Sequence, residues 1–428
     1  VAGGRWWGTG GMRPAPPGSR TSRVELFYDL IFVFAFLTVT DLTSSLATVP
    51  DLFGALLVLA LLWWCWTGFA ALGNAVRVDQ GVLPVVGFVT AAVTFLLALS
   101  MPGAFRDGPG GIDGPIFFAG CYFLVRATQL VVFGWLHRAD RTPLRRWALV
   151  AVLPVVATGL LVVAATVPPR IADGVAEDRL RLCLWLAALS VEYVGGVTLG
   201  RAYWTVVSTG HWADRHALIV LVALGESIIA LGIGPKFVTE LPLSWPVVVA
   251  ALLGVAVASA LWWAYFDTLA LAVEQALHRA REPTARRRLA RDAYTYLHLP
   301  MIAGIILLAL GLEDLLAEAA SPGEPAWGPP LGWFWIMVLW GGVGLYLLSL
   351  VACGLRALRV LRWPPLAAVL LLAVLAPVGV RLPELVALAV LAVVCVATVV
   401  TQTLTDGELR RAVRQEEHEV EGTRWRGR

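Results

Sequence analysis

The sequence predicts an all-α polytopic membrane protein of about twelve transmembrane helices, with both termini cytoplasmic. Three observations predict it. The 428 residues are 58% apolar and only 15% charged, where soluble domains run near half apolar and a quarter charged, so a soluble enzyme is excluded. The apolar residues fall in repeated blocks of about 20, the length that crosses a hydrocarbon core of roughly 30 Å. Finally, the basic residues alternate between rich and poor connecting segments, as the positive-inside rule requires when no span is missed.

Residues 1–22 contain Gly, Pro, Arg and Ser with no apolar run long enough for a signal peptide, and read as a disordered cytoplasmic tail. The first span, 24–46, carries Glu25 and Asp29. The second, 52–72, holds Leu62-Trp63-Trp64-Cys65-Trp66, and the third, 82–101, follows Arg77. Gly114-Pro115 opens the fourth, 115–136, with Arg126 inside it. The fifth, 147–167, follows four arginines between Arg138 and Arg146, and the sixth, 180–199, contains Glu192. Arg201 and Arg215 fall in the connection to the seventh, 216–234, whose centre is Glu226. The eighth, 245–266, holds Leu261-Trp262-Trp263-Ala264-Tyr265, and a loop with six arginines leads to the ninth, 292–312, with His298 and Pro300. An acidic loop, 313–330, separates it from the tenth, 331–352, and spans 365–379 and 383–402 complete the set. Residues 406–428 read as a solvated charged tail able to run on as a short helix. With the N-terminus inside, 26 of the 33 basic residues lie on the cytoplasmic side.

The halves show an internal repeat. The Trp-Trp strings of the second and eighth spans correspond, as do Gly114-Pro115 with Gly328-Pro329 and Arg146-Trp147 with Arg362-Trp363, in the same order. Six spans per unit give both units one orientation, so a 6+6 parallel repeat is expected, with halves 23–214 and 215–405 and a pseudo-two-fold axis along the membrane normal.

Charges inside the bilayer carry the chemistry, because one at mid-membrane costs at least about 2.5–3.5 kcal/mol and needs a partner or water. Glu25 and Asp29, four apart, share one helical face; two carboxylates one turn apart repel unless a cation lies nearby. Arg126 is the natural counter-ion within the spans. Glu25 can alternatively cap its helix. Glu226, in Leu224-Gly225-Glu226-Ser227, is placed near the midplane, with a break of the span expected around Gly225, Gly232 and Gly234. Glu192 and His298 complete the candidates; Pro300 removes a bond to the carbonyl of Tyr296, leaving an acceptor near His298. Asp267 and Asp292 are expected to pair with arginines of the basic loop that they bracket.

The five cysteines lie in apolar blocks without paired spacing and read as core residues, so no metal site and no cofactor is expected. No metalloprotease, serine-hydrolase, phosphate-loop or dinucleotide motif occurs. The small net charge gives no support to a nucleic-acid partner. Trp63, Trp64, Trp66, Trp135, Trp147, Trp262, Trp263 and Tyr265, near span ends, fit interfacial belts, and the Gly341-Gly342-Gly344 cluster suits close helix contact.

Several of these strings together resemble one family. Arg23-Val24-Glu25-Leu26-Phe27-Tyr28-Asp29-Leu30, Ala223-Leu224-Gly225-Glu226-Ser227-Ile228, Trp262-Trp263-Ala264-Tyr265-Phe266-Asp267 and Arg291-Asp292-Ala293-Tyr294-Thr295-Tyr296-Leu297-His298 are similar, in order, to the bacterial low temperature requirement protein A family. The resemblance implies a multi-pass protein of the bacterial cytoplasmic membrane and transfers no biochemical activity. Its motifs coincide with the intramembrane charges. The expectation that follows is a transporter or channel for protons, or for a small ion or solute coupled to them, sited at Glu25, Asp29, Arg126, Glu192, Glu226 and His298, with membrane lipid as its surroundings. A membrane-embedded enzyme acting on a lipid or isoprenoid, or a structural or stress-related protein, are the alternatives.

Overall fold

The computed structural model describes residues 20–44, 48–106, 111–136, 141–199, 206–233, 244–319, 327–407, 410–411 and 414–415. These residues are helical almost throughout, with no strand among them. Their helices are α1 (Arg23–Ser44), α2 (Val49–Ala75), α3 (Leu83–Leu99), α4 (Gly114–Leu136), α5 (Arg141–Thr166), α6 (Pro168–Ile171), α7 (Val175–Thr198), α8 (Thr209–Ile233), α9 (Trp245–Phe266), α10 (Leu269–Arg279), α11 (Pro283–Leu289), α12 (Leu297–Ala319), α13 (Gly332–Leu358), α14 (Trp363–Gly379) and α15 (Glu384–Thr405). A π-helical turn, Ala290–Tyr296, joins α11 to α12.

Nine helical stretches among the described residues are long and apolar enough to cross a membrane. Two more, α3 and α14, are apolar but shorter, at 17 residues each. The 22-residue α1 combines apolar length with four charged residues, Arg23, Glu25, Asp29 and Asp41. Such a composition is tolerable in lipid only if the charges face protein. The two inner charges meet that condition: Glu25 and Asp29 are buried, whereas Arg23 and Asp41, near the two ends of the helix, are exposed, as are Leu26, Phe27 and Leu30.

The chain forms two compact units. The first comprises residues up to Arg215, apart from Thr43–Val49; the second comprises that short segment and His216 onward. In the first unit α5 packs on α4 and α7, and α3 on α4. In the second, α13 lies against α12 and α14, and α15 against α9 and α14. Close approach of α12 and α13 depends on two glycines. A Cβ on Gly342 would lie 2.7 Å from that of Leu307, and one on Gly304 would lie 2.5 Å from the Gly342 carbonyl oxygen. Gly341 and Gly344 face open space, so within the expected cluster Gly342 makes the contact.

Four expectations need correction. The seventh apolar segment is preceded by two polar turns that are already helical, so Arg215 belongs to α8 and not to a connecting loop. The same helix runs unbroken across Gly225 and Gly232, while Gly234 lies outside the described residues. Trp63, Trp64, Trp66 and Tyr265 are core residues at no more than 2% exposure, and do not form an interfacial belt; Trp262 and Trp263 are substantially exposed. Cys183 is exposed, unlike the other four cysteines.

The described part of the C-terminal tail docks on the second unit. Arg410 and Arg414 bind Asp267, the latter at 3.1 Å, and Asp406 accepts a 2.7 Å bond from Arg362. Asp292 pairs with Arg291 of the basic loop at 2.6 Å, but also with Arg356 of α13 at 2.8 Å. Residues 1–19 and 416–428 lie outside the described residues.

Candidate functional site

Two buried charge clusters lie in the first unit, and they differ in kind. The first joins α1 to the opening turns of α8. Ser22 precedes α1 and Glu25 is its third residue, the spacing of a capping box. The Ser22 amide and hydroxyl both donate to Glu25 Oε2, at 2.8 and 2.9 Å, and the Glu25 amide donates back to the hydroxyl at 3.4 Å. Glu25 is therefore a cap, yet its second oxygen is committed elsewhere: Oε1 sits 2.8 Å from His211 Nε2. One turn further, Asp29 accepts a 2.5 Å bond from Arg215 and a 2.8 Å bond from the Trp66 indole. Arg215 also donates to the Glu25 carbonyl at 3.0 Å and stands over the Trp66 ring at 5.5 Å.

The pairing has a simple basis. Glu25 and Asp29 are spaced by four on α1, and His211 and Arg215 by four on α8, so each pair lies on one helical face. They meet in the same order, which makes the two helices locally parallel. Gly73 of α2 admits the carboxylate, since a Cβ there would lie 2.0 Å from Glu25 Oε1.

Asn74 sets the tautomer of His211. Its carbonyl oxygen accepts from the amides of Val207, at 2.7 Å, and Ser208, at 3.4 Å. Its amide nitrogen donates to the Ser208 carbonyl at 2.6 Å and approaches His211 Nδ1 at 3.3 Å. Nδ1 is thus an acceptor, and Nε2 carries the hydrogen shared with Glu25. Two carboxylates thus face one guanidinium and one imidazole; with both acids ionised and the imidazole neutral, the group carries one negative charge in excess. Arg215 is fully buried, and its Nε and second terminal nitrogen have no hydrogen-bond acceptor among the described residues. Nε comes only within 3.8 Å of Glu25 Oε1.

The second cluster is balanced and saturated. Arg126 donates to both oxygens of Glu192, at 3.3 and 3.1 Å. The same carboxylate accepts from Tyr122 at 2.5 Å and from the Trp64 indole at 2.7 Å. The remaining Arg126 nitrogen bonds Gln129 at 2.6 Å, and Gln129 bonds the Cys65 carbonyl at 2.7 Å. Gly68 leaves the necessary room, as a Cβ there would lie 2.2 Å from Gln129 Oε1. One anion, one cation and a full complement of donors tie α2, α4 and α7 together. Arg126 is thus the partner of Glu192; the counter-ion of Asp29 is Arg215.

In the second unit, His298 is buried and fixed on both ring nitrogens. Nδ1 lies 2.9 Å from the Ala293 carbonyl and Nε2 lies 2.9 Å from the Tyr265 hydroxyl. A carbonyl can only accept, so Nδ1 carries the hydrogen and Nε2 accepts from tyrosine. The expected acceptor was the Tyr296 carbonyl released by Pro300. The acceptor found is Ala293, five residues before the histidine, within the π-helical turn, where the backbone ladder is already displaced. His216 approaches the Tyr294 and His298 rings at 5.1 and 5.4 Å. Glu226 is fully buried in α8, ten residues beyond His216 and so about 15 Å along the axis. The six expected residues are therefore distributed: Glu25 and Asp29 in one cluster, Arg126 and Glu192 in another, and Glu226 and His298 in the second unit. His211, Arg215, Trp66 and Asn74 join the first cluster from outside that set.

Long apolar helices with buried, paired charges define a multi-pass membrane protein. The sequence model of the bacterial low temperature requirement A protein (LtrA) family matches residues 20–400, nearly the whole chain, and the protein belongs to that family. A similar chain is an uncharacterized protein of Rhizobium meliloti (strain 1021), 27% identical over 319 residues, 71% of this chain and 72% of its own length. No solved structure matches.

Proposed function

We propose that the protein is a proton-coupled transporter or channel for an ion or small solute in the bacterial cytoplasmic membrane. It crosses the membrane twelve times as two parallel six-helix repeats, with both termini cytoplasmic. The parallel course of α1 and the start of α8 supports this count, because α1 and the five crossings between it and α8 return the chain to the side on which it began.

The observation that carries the coupling is the contrast between the two clusters. Arg126 and Glu192 cancel in charge and the carboxylate accepts from four donors, which favours a structural role for that pair. The Glu25, Asp29, Arg215, His211 group holds one negative charge too many in a site removed from water, and a buried net charge favours uptake of a compensating ion. One further proton, taken up by the Glu25 carboxylate or by the His211 imidazole, neutralises it. Asp29 and Arg215 fix the frame, and the open donors of Arg215 can serve an oxygen of water or solute. In the second unit, Glu226 and His298 are the protonatable groups that this reading assigns to coupling.

Proteoliposomes holding a pH-sensitive dye test the proposal. Under an imposed pH gradient, acidification of the lumen above that of protein-free vesicles is expected when solutes are supplied. Flux equal to that of empty vesicles across ions and small solutes would remove the transport assignment.

A further inference from the structure

The basic rim of the second unit contains a cleft of about 470 Å³ between α11 and the end of α13, lined by Thr284, Arg288, Leu289, Arg356, Arg359 and, opposite in charge, Glu282. Three arginines thus line one concavity. Arg356 is held there by Asp292, which accepts from its Nε at 2.9 Å and its terminal nitrogen at 2.8 Å. Arg288 and Arg359 differ: both are exposed, and neither makes a side-chain hydrogen bond or ion pair with a described residue. Arg359 caps α13 in the left-handed conformation, φ 58°, which turns the chain sharply into the next segment. That segment, Val360-Leu361-Arg362-Trp363, exposes Val360, Leu361 and Trp363 by about half each, at 50, 51 and 52%.

We infer that this cleft binds the phosphodiester headgroup of an anionic phospholipid. Arginine offers a planar fork suited to phosphate oxygens, and two arginines without partners supply it. A free phosphate would need only the cleft. The neighbouring Val360, Leu361 and Trp363 fit a molecule with acyl chains, because an exposed aliphatic pair beside a tryptophan is stable at the boundary between headgroups and hydrocarbon. Placement on the arginine-rich side matches the leaflet in which polybasic contacts to anionic lipid form.

The test uses the full chain, purified in mild detergent, with lipid binding read by native mass spectrometry. Phosphatidylglycerol is expected to bind at least tenfold more tightly than phosphatidylcholine. The double variant Arg288→Gln/Arg359→Asn should lose about 25-fold, at roughly fivefold for each arginine near an anionic group; asparagine is chosen because it tolerates the left-handed conformation. Arg288→Gln alone, which touches no strained position, should lose about fivefold. Val360→Ser/Leu361→Ser should weaken phosphatidylglycerol but leave competition by inorganic phosphate unchanged. Equal binding of the two lipids, or unaltered selectivity in both arginine variants, overturns the assignment. So does inorganic phosphate competing as tightly as the lipid, which identifies a soluble-anion site.

Discussion

Gly73→Ala probes the Glu25 site with a single methyl group. The added Cβ would lie 2.0 Å from Glu25 Oε1 and 2.8 Å from its carboxyl carbon, where ordinary contact begins near 3.4 Å. The carboxylate sits at the end of a flexible side chain and can retreat, so steric strain is not the principal cost. The retreat exceeds 1 Å, and it takes Oε1 out of reach of His211, now at 2.8 Å, and strains the two bonds from Ser22. Losing a charge-assisted bond costs about 1.5–3 kcal/mol, and weakening the cap about 1 kcal/mol more. Alanine returns up to about 1 kcal/mol through helix propensity. A net destabilisation of about 1.5–4 kcal/mol follows. Gly120→Ala, in α4 with nothing within 4 Å of the new Cβ, serves as the control and should be neutral or slightly stabilising. The assay is unfolding of both variants in mixed micelles with increasing anionic detergent. Shortening the acid with Glu25→Asp should suppress the Gly73→Ala defect, giving a coupling energy of at least about 1 kcal/mol in the double-mutant cycle. Equal stabilities for Gly73→Ala and Gly120→Ala, or strict additivity with Glu25→Asp, would refute the reasoning.

Three further outcomes are expected. Glu192→Gln strands the Arg126 guanidinium and should cost about 3–5 kcal/mol, whereas Arg126→Met/Glu192→Gln should recover much of that loss; thermal unfolding followed by size-exclusion chromatography reads both, and a double variant worse than the single contradicts a pair that is only structural. His298 should be a neutral imidazole with its hydrogen on Nδ1, visible in nitrogen chemical shifts of histidine-labelled protein; a hydrogen on Nε2 would contradict the Ala293 and Tyr265 assignments. Gly225→Ala meets nothing within 4 Å and should stabilise α8 by up to about 1 kcal/mol; a large loss of stability in the same unfolding assay would show that the helix needs the glycine.

Helix positions were readable because a lipid environment forces long apolar runs, and α9 begins and ends where hydropathy placed it. Reading failed where polarity and helix coexist. Thr209-Gly210-His211-Trp212-Ala213-Asp214-Arg215 looks like a loop on hydropathy, but Ser208 accepts the role of N-cap, with its hydroxyl 3.3 Å from the His211 amide, and the helix begins there. The signal that could have recovered the site was the spacing of four between His211 and Arg215, matching that of Glu25 and Asp29. Tryptophans near span ends commonly lie at the membrane interface, but a buried carboxylate needs donors, and the Trp64 and Trp66 indoles supply them. Which cation meets which anion depends on long-range helix contacts that no local pattern encodes. The tie between Arg126 and Glu192 spans 66 residues, and that between Asp29 and Arg215 spans 186.

Proton flux through reconstituted variants tests the central claim most directly, that the unbalanced cluster carries the exchangeable proton and the balanced one holds the fold. At matched amounts of folded protein, Glu25→Gln and His211→Gln should each abolish flux, while Arg126→Met/Glu192→Gln should retain it at near the parental rate. Flux that survives both cluster substitutions, or that disappears with the balanced pair alone, would contradict the account.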